Sequence, residues 1–249
     1  MLLLFSAATA FAYSLLFLLL RRWLASARQD LSWECCSKIA NRALSALQAL
    51  LVLGAGLSIT ANTSQDILHA QHWLASWSVW PMLGYWLYDS LCMLHIHRME
   101  HPLRTFIPRN VSMLLHHAGL ILLAFPVIAF LRGGLGDFFV GAFYLLEASS
   151  PFVHLRSILA ELGLKGGLLY LLNGLAMLTA FAACRLALVP WLLGRFAAYR
   201  GLQAWYEAPR LMPWKCSIAT AAITGLNLYW FSLMIGGSYR LLAGKKKGL

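Results

Sequence analysis

Seven apolar stretches, at about 2–20, 43–61, 74–95, 111–131, 137–155, 168–194 and 216–239, dominate this sequence of 249 residues. Crossing roughly 30 Å of hydrocarbon takes about 20 apolar residues in a helix, and each stretch approaches that length. Hydrocarbon offers no water to pair with backbone N–H and C=O groups, so such runs must fold as helices that satisfy their own backbone. Only 12% of residues are charged and 60% are apolar, against about 25% charged in ordinary globular domains, so lipid is the solvent. The stretches follow one another closely, which predicts one helical bundle and no second domain. The fifth is the weakest apolar run, because Asp137 opens it and Glu147 interrupts it. As a re-entrant or half-buried helix it would leave six spans.

A net charge of +11 could point to nucleic acid, but the Lys and Arg residues sit in short loops between apolar runs rather than on one basic face. Topology and anionic lipid headgroups account for them, and no nucleic-acid partner is expected. Loops 21–42, 96–110 and 156–167 with the tail from 240 hold fourteen Lys and Arg, against five on the opposite side. The basic side is the cytosolic one, so the N-terminus is expected in the lumen and the C-terminus in the cytosol. The first run has no basic residues ahead of it and is followed by Arg21-Arg22, which reads as an uncleaved anchor. The ending Lys246-Lys247-Gly248-Leu249 has the spacing of a dilysine retrieval signal, read only in the cytosol; a basic tail lying on lipid is the alternative. Endoplasmic reticulum residence with cycling through the Golgi is therefore expected. The five cysteines form no CxxC pair and leave one odd, so neither a disulfide framework nor a zinc site is indicated. Cys35 and Cys36, near a membrane surface, are candidates for palmitoylation.

Ionisable groups at membrane depth cost at least ~2.5–3.5 kcal/mol each, so each asks for a partner, a cavity or a task. Asp89, His116, His117, Glu147 and Arg185 are such groups. Adjacent helical residues point about 100° apart, so one imidazole of His116-His117 can face the bundle interior while the other meets a second helix. A side chain with an ordinary pKa near 6.5 can act as base, acid or nucleophile, although interfacial histidines bonded to neighbours are the plainer alternative. Asp137 follows Gly133-Gly134-Leu135-Gly136, and a helix N-terminus there would explain it without catalysis. Glu147 precedes Ser149, Ser150 and Pro151, and the proline frees a carbonyl, which predicts a polar cavity beside Glu147. Arg185 needs an acidic partner, with Glu147 and Asp89 as candidates, and a structural Glu147–Arg185 pair stands beside a catalytic one. Asn173 is a polar handle and Pro190 a kink in the same stretch as Arg185.

Read together, His116-His117, Arg132, Gly136-Asp137-Phe138-Phe139, Glu147 to Phe152, Asn173-Gly174 and Cys184-Arg185 resemble the TLC-domain family, which includes the ceramide synthases. Among its members the sequence looks most like the TLC domain-containing protein 3 subgroup, supported by His72-Trp73-Leu74, Tyr88-Asp89-Ser90 and Leu228 to Phe231. The resemblance implies an all-α transmembrane bundle of about seven helices enclosing a lipid cavity. It divides the chain into an anchor helix and cytosolic loop at 1–32, a TLC domain at 33–240 and a basic tail at 241–249.

Ceramide synthases join a fatty acyl group from acyl-CoA to the amine of a sphingoid base. Carried over, His116 and His117 match the family's His pair and would be catalytic, with Glu147 or Asp137 orienting the imidazole. Asp89, Ser149, Ser150, Asn173 and Arg185 would bind substrate. Arg98, Arg104 and Arg109 would meet CoA phosphates. The co-substrate would be acyl-CoA, with no other cofactor and no metal; the partners would be a sphingoid base or other membrane lipid, and homo- or hetero-oligomers with other TLC proteins. The family's second His-Asp pair is missing, since the corresponding stretch reads Phe143-Tyr144-Leu145-Leu146-Glu147. A non-catalytic protein that binds lipid and adjusts membrane composition or a partner synthase is the rival. A di-iron lipid hydroxylase needs a set of several HxxxH and HxxHH boxes, which this sequence does not supply beyond His97 to His101, and a seven-helix receptor fits neither the dilysine ending nor Glu147.

Overall fold

The computed structural model describes residues 2–246, with side chains to residue 240; the dilysine ending lies outside the side chains described. Seven long helices carry the fold: α1 (Leu2–Ala27), α2 (Trp33–Thr63), α3 (Val79–Glu100), α4 (Leu103–Leu131), α5 (Asp137–Glu161), α6 (Leu168–Tyr199) and α7 (Trp214–Lys246). Short helical turns at Trp73–Trp77 and Ala208–Leu211 complete the set, and no strand occurs among the described residues. Six of the long helices are apolar and long enough to cross a bilayer; α3 is the exception. The fifth stretch therefore does qualify, while the third, read as 74–95, breaks at Ser78 and carries too much polarity to qualify by composition. Pro81 lacks an N–H for the Trp77 carbonyl, and Ser78 caps the short turn by donating from N and Oγ to the Leu74 carbonyl.

Several helices start earlier or end later than the apolar runs. Residues 33–42, which read as loop, are helix because the Ser32 hydroxyl accepts from the Cys35 N–H at 3.2 Å and Glu34 sits in the positive first turn. Hydropathy stops where charge begins, whereas backbone hydrogen bonding continues into the interface.

α2 is the central element, packed against α1, α3 and α5. Its buried stripe is the polar one near its start, Ser37, Asn41, Ser45 and Gln48, and turns apolar further on with Val52 and Ile59. Close crossings fix the packing. A Cβ on Gly56 of α2 would lie 2.8 Å from the Gly141 carbonyl oxygen of α5, and one on Gly84 of α3 would lie 2.2 Å from the Ser6 carbonyl oxygen of α1. Small residues at such points let membrane helices gain van der Waals contact that lipid would otherwise supply. The main apolar cluster joins Val52, Ile59, Trp80, Trp86, Phe125, Val140 and Tyr144 across four helices. At one end Lys38 bonds Glu100 at 2.5 Å and reaches Glu161 at 3.9 Å, tying α2, α3 and α5 together. α7 is the most peripheral helix and rests mainly on α6.

Three helices depart from regular α geometry near internal prolines. α4 widens into π turns at Leu120–Ala124 and Val127–Leu131 around Pro126. α5 tightens into a 3-10 turn at Leu145–Ser149 just before Pro151, and α6 widens at Ala182–Ala187 ahead of Pro190. Each irregular turn adjoins or contains a membrane-depth polar side chain: His117 on α4, Glu147 on α5 and Arg185 on α6.

Candidate functional site

His117 of α4 is 5% exposed and meets α3 through both ring nitrogens. Its Nε2 lies 3.3 Å from Asp89 Oδ2, and its Nδ1 lies 2.9 Å from Ser90 Oγ. Asp89 is 6% exposed, and its other oxygen accepts from Asn41 Nδ2 at 3.0 Å. Asn41 in turn accepts from the Tyr88 hydroxyl at 2.9 Å. The carboxylate in contact with His117 is Asp89, which the resemblance places among the substrate-binding residues; Glu147 bonds Arg185 and Ser150, and Asp137 bonds Arg132 and the His72 N–H. His116 diverges from its neighbour as expected of consecutive helical residues and sets its ring edge-on against Trp230 of α7, centroids 5.3 Å apart.

The second group gathers where the 3-10 turn of α5 faces the widened turn of α6. Arg185 donates from Nε to Ser149 at 3.0 Å and from a terminal nitrogen to Ser150 at 2.9 Å, and lies 3.5 Å from Glu147. Ser150 donates to the other Glu147 oxygen at 2.5 Å. These four residues form one unit, as the need of each membrane-depth charge for a partner predicted. Asn173 pins α6 to α5 by donating to the Phe152 carbonyl at 2.9 Å, while its own oxygen is buried without a partner.

His116 immediately precedes His117 on α4, and His154 lies on α5 seven residues after Glu147. Glu147, Arg42, His116 and His154 are each only partly covered, with 32% of the Glu147 side-chain surface open. Nδ1 of His154 and Nδ2 of Asn227 are buried without a partner. Below Trp230 the seam of α5, α6 and α7 opens into a groove of about 260 Å³ lined by Val153, Ser157, Met177 and Leu233. A second open groove, about 270 Å³, runs along α3 past Leu91 and Leu94 to His95 and Arg98.

Asp137 stands apart. It is the first residue of α5, ten residues and about 15 Å of helix from Glu147. It ion-pairs with Arg132 and accepts the His72 N–H at 2.6 Å, closing the turn that Gly133, Gly134 and Gly136 make at positive φ. Asp137 does stand in the first turn of its helix, where a carboxylate is favoured, but it makes no cap hydrogen bond there and instead ties Arg132 and the His72 N–H. Arg98, Arg104 and Arg109 are exposed around the turn from α3 to α4, Arg109 bonded to His101 at 2.6 Å.

His154, Arg42 and Asn41, polar side chains on these packed helices, were not singled out in the sequence, and Ser90 entered only within the Tyr88-Asp89-Ser90 match. His154 is seven residues from Glu147, two turns along one helix face, which is a signal the sequence does carry. Asn41 and Arg42 were hidden because their segment read as loop. The chemistry available is an imidazole held by a carboxylate on α3 and α4, and a Glu–Arg pair anchored by two serines on α5 and α6.

The family model of the TLC domain matches residues 38–236. An uncharacterized TLC domain-containing protein of Schizosaccharomyces pombe is 30% identical over 105 residues, covering 41% of this chain and 34% of the yeast protein. The chain thus spans about a third of the length of that curated relative. No solved structure matches.

Proposed function

The chain belongs to the TLC-domain family, and on that premise we propose that it is a lipid acyltransferase, moving a fatty acyl group from acyl-CoA to the amine of a sphingoid base. Within the family we assign it to the TLC domain-containing protein 3 subgroup on the order of its motifs. The observation that carries the reading is the Asp89–His117 contact, 3.3 Å between two buried groups. A carboxylate on one ring nitrogen fixes the tautomer and stabilises the imidazolium that forms when the other takes a proton. His117 acts as the base for the attacking group, with His116 beside it and turned toward Trp230. The exposed Arg98, Arg104 and Arg109 attract the CoA phosphates, and the acyl chain lies among the apolar helices. The N-terminus is assigned to the lumen and the C-terminus to the cytosol by the distribution of the Lys and Arg residues.

A second reading has one observation in its favour. Arg185, Ser149, Ser150 and Glu147 largely saturate one another, as a structural unit would, and the family's second His-Asp pair is absent. On that reading the protein binds lipid and regulates membrane composition or a partner synthase without turnover. Purified full-length protein given labelled acyl-CoA and sphinganine separates the two. Ceramide formed in proportion to protein, and lost when His116 and His117 are replaced by Ala, supports the transferase; saturable binding with no product supports the regulator.

A further inference from the structure

Ser90 sits one residue from Asp89 on α3, and its oxygen lies 2.9 Å from His117 Nδ1 while Asp89 lies on the far side of the same ring. Its hydroxyl also donates to the Trp86 carbonyl at 2.8 Å. Back-bonding to the carbonyl four residues earlier is a common resting place for serine in a helix and accounts for that contact alone. It does not account for an imidazole delivered to the same oxygen by another helix, backed by a carboxylate that Asn41 holds in turn. Asp89 and His117 are buried, whereas Ser90 is partly exposed, so the hydroxyl is the member of the trio a substrate can reach. The next turns of α3, from Leu91 to the basic Arg98, line an open groove.

We infer that Ser90 is the acyl-accepting nucleophile, with His117 as its base and Asp89 as the residue that orients the imidazole. The inference deepens the acyl-transfer reading and rests on it for the identity of the donor. Nucleophile, base and orienting carboxylate follow the logic by which hydroxyl groups are activated elsewhere. Nδ1 must carry the lone pair and Nε2 the proton, the tautomer that a carboxylate beside Nε2 favours. Turning the hydroxyl proton from Trp86 to Nδ1 needs rotation about the Cβ–Oγ bond only. The Ser90 oxygen then bonds to the thioester carbonyl carbon as its proton passes to Nδ1. Collapse of the tetrahedral intermediate breaks the C–S bond, and the proton leaves with the CoA thiol. An amine attacks the resulting serine ester, an amide forms, the C–O bond breaks, and Ser90 recovers a proton through His117.

The test uses the full chain, purified in detergent and incubated with palmitoyl-CoA without an amine, then digested and mapped by mass spectrometry. A palmitoyl group on the peptide containing Ser90 is expected, with the rate of its formation down on the order of 10²–10⁴-fold in His117→Ala. Ser90→Cys, which keeps the size of the side chain, should carry the acyl group as a thioester cleaved by neutral hydroxylamine. Acylation mapped to His116 or His117 instead, or amide formation by folded Ser90→Ala within twofold of wild type, overturns the inference and leaves acyl transfer standing. Should wild type show neither adduct nor turnover, the acyl-CoA reading fails, and a fluorophosphonate probe decides the serine by itself. Labelling of Ser90 that depends on His117 retains the nucleophile, and absence of labelling ends it.

Discussion

Asp137 and Asp89 are two buried carboxylates in one bundle, 2% and 6% exposed, and they live in opposite kinds of surroundings. Asp137 closes a circuit: Arg132 and the His72 N–H take its oxygens, and Arg132 also donates to the Leu135 carbonyl from that same nitrogen, to the Ile128 carbonyl from Nε and to Ser76 from its other terminal nitrogen. Asp89 opens one: its partner His117 passes the contact to Ser90, whose side chain is partly exposed. Burial alone therefore does not mark chemistry in a membrane bundle. A circuit closed on itself marks a strap, and one that ends on an accessible group marks a site.

That contrast can be broken most forcefully at His117. Removing the proposed base by His117→Ala should lower acyl transfer on the order of 10²–10⁴-fold while the bundle stays folded, judged by size-exclusion profile and thermal midpoint. A comparable loss from Arg132→Ala after correction for folded protein would erase the distinction. At the strap the effect should fall on stability instead: Asp137→Ala leaves Arg132 buried and unpaired, costing about 3–5 kcal/mol. Pairing it with Arg132→Met should recover much of the loss, because neither charge then remains alone; a thermal shift assay reads both. A smaller change comes from the helix crossing that holds the site: Gly141→Ala forces a Cβ to within 2.7 Å of Thr60 Oγ1 and should cost about 1–3 kcal/mol.

The smallest effect is expected in the loop before the strap. The backbone N–H groups of His69 and Leu68 hold the Asp66 carboxyl below the usual aspartate range. A depressed value in the folded state means the contribution is present above the ordinary aspartate pKa of about 3.9 and is lost as pH falls through the lower folded value. Asp66→Asn should melt slightly below wild type near neutrality, and the two curves should converge on acidification through that window. Divergence on acidification would reverse the assignment.

Much of this architecture was legible because hydrocarbon imposes helices of fixed minimum length on the chain. The positions of α1, α2 and α4 to α7 follow from that constraint, and so does the Glu147–Arg185 pairing, since neither charge can be left alone at depth. α3 was harder to delimit, because a helix packed between others can carry Asp89 and His97 inside and its apolar run is broken by Ser78. Which carboxylate meets which histidine was not legible: Asp89, Asp137 and Glu147 are equivalent until the crossing of α3 and α4 fixes one of them at His117. Asn41 escaped notice for a related reason, as α2 buries the polar face that in water would point outward.

Acyl transfer by Asp89→Asn and Asp137→Asn, each purified in full length and normalised to folded protein, probes the central claim most directly. Asp89→Asn should lose on the order of 10²-fold or more of the rate, and Asp137→Asn should retain it within a few-fold despite a lower thermal midpoint. Equal rates in the two variants, or a larger loss from Asp137→Asn, would contradict the assignment of the Asp89–His117 pair as the place where the acyl group moves.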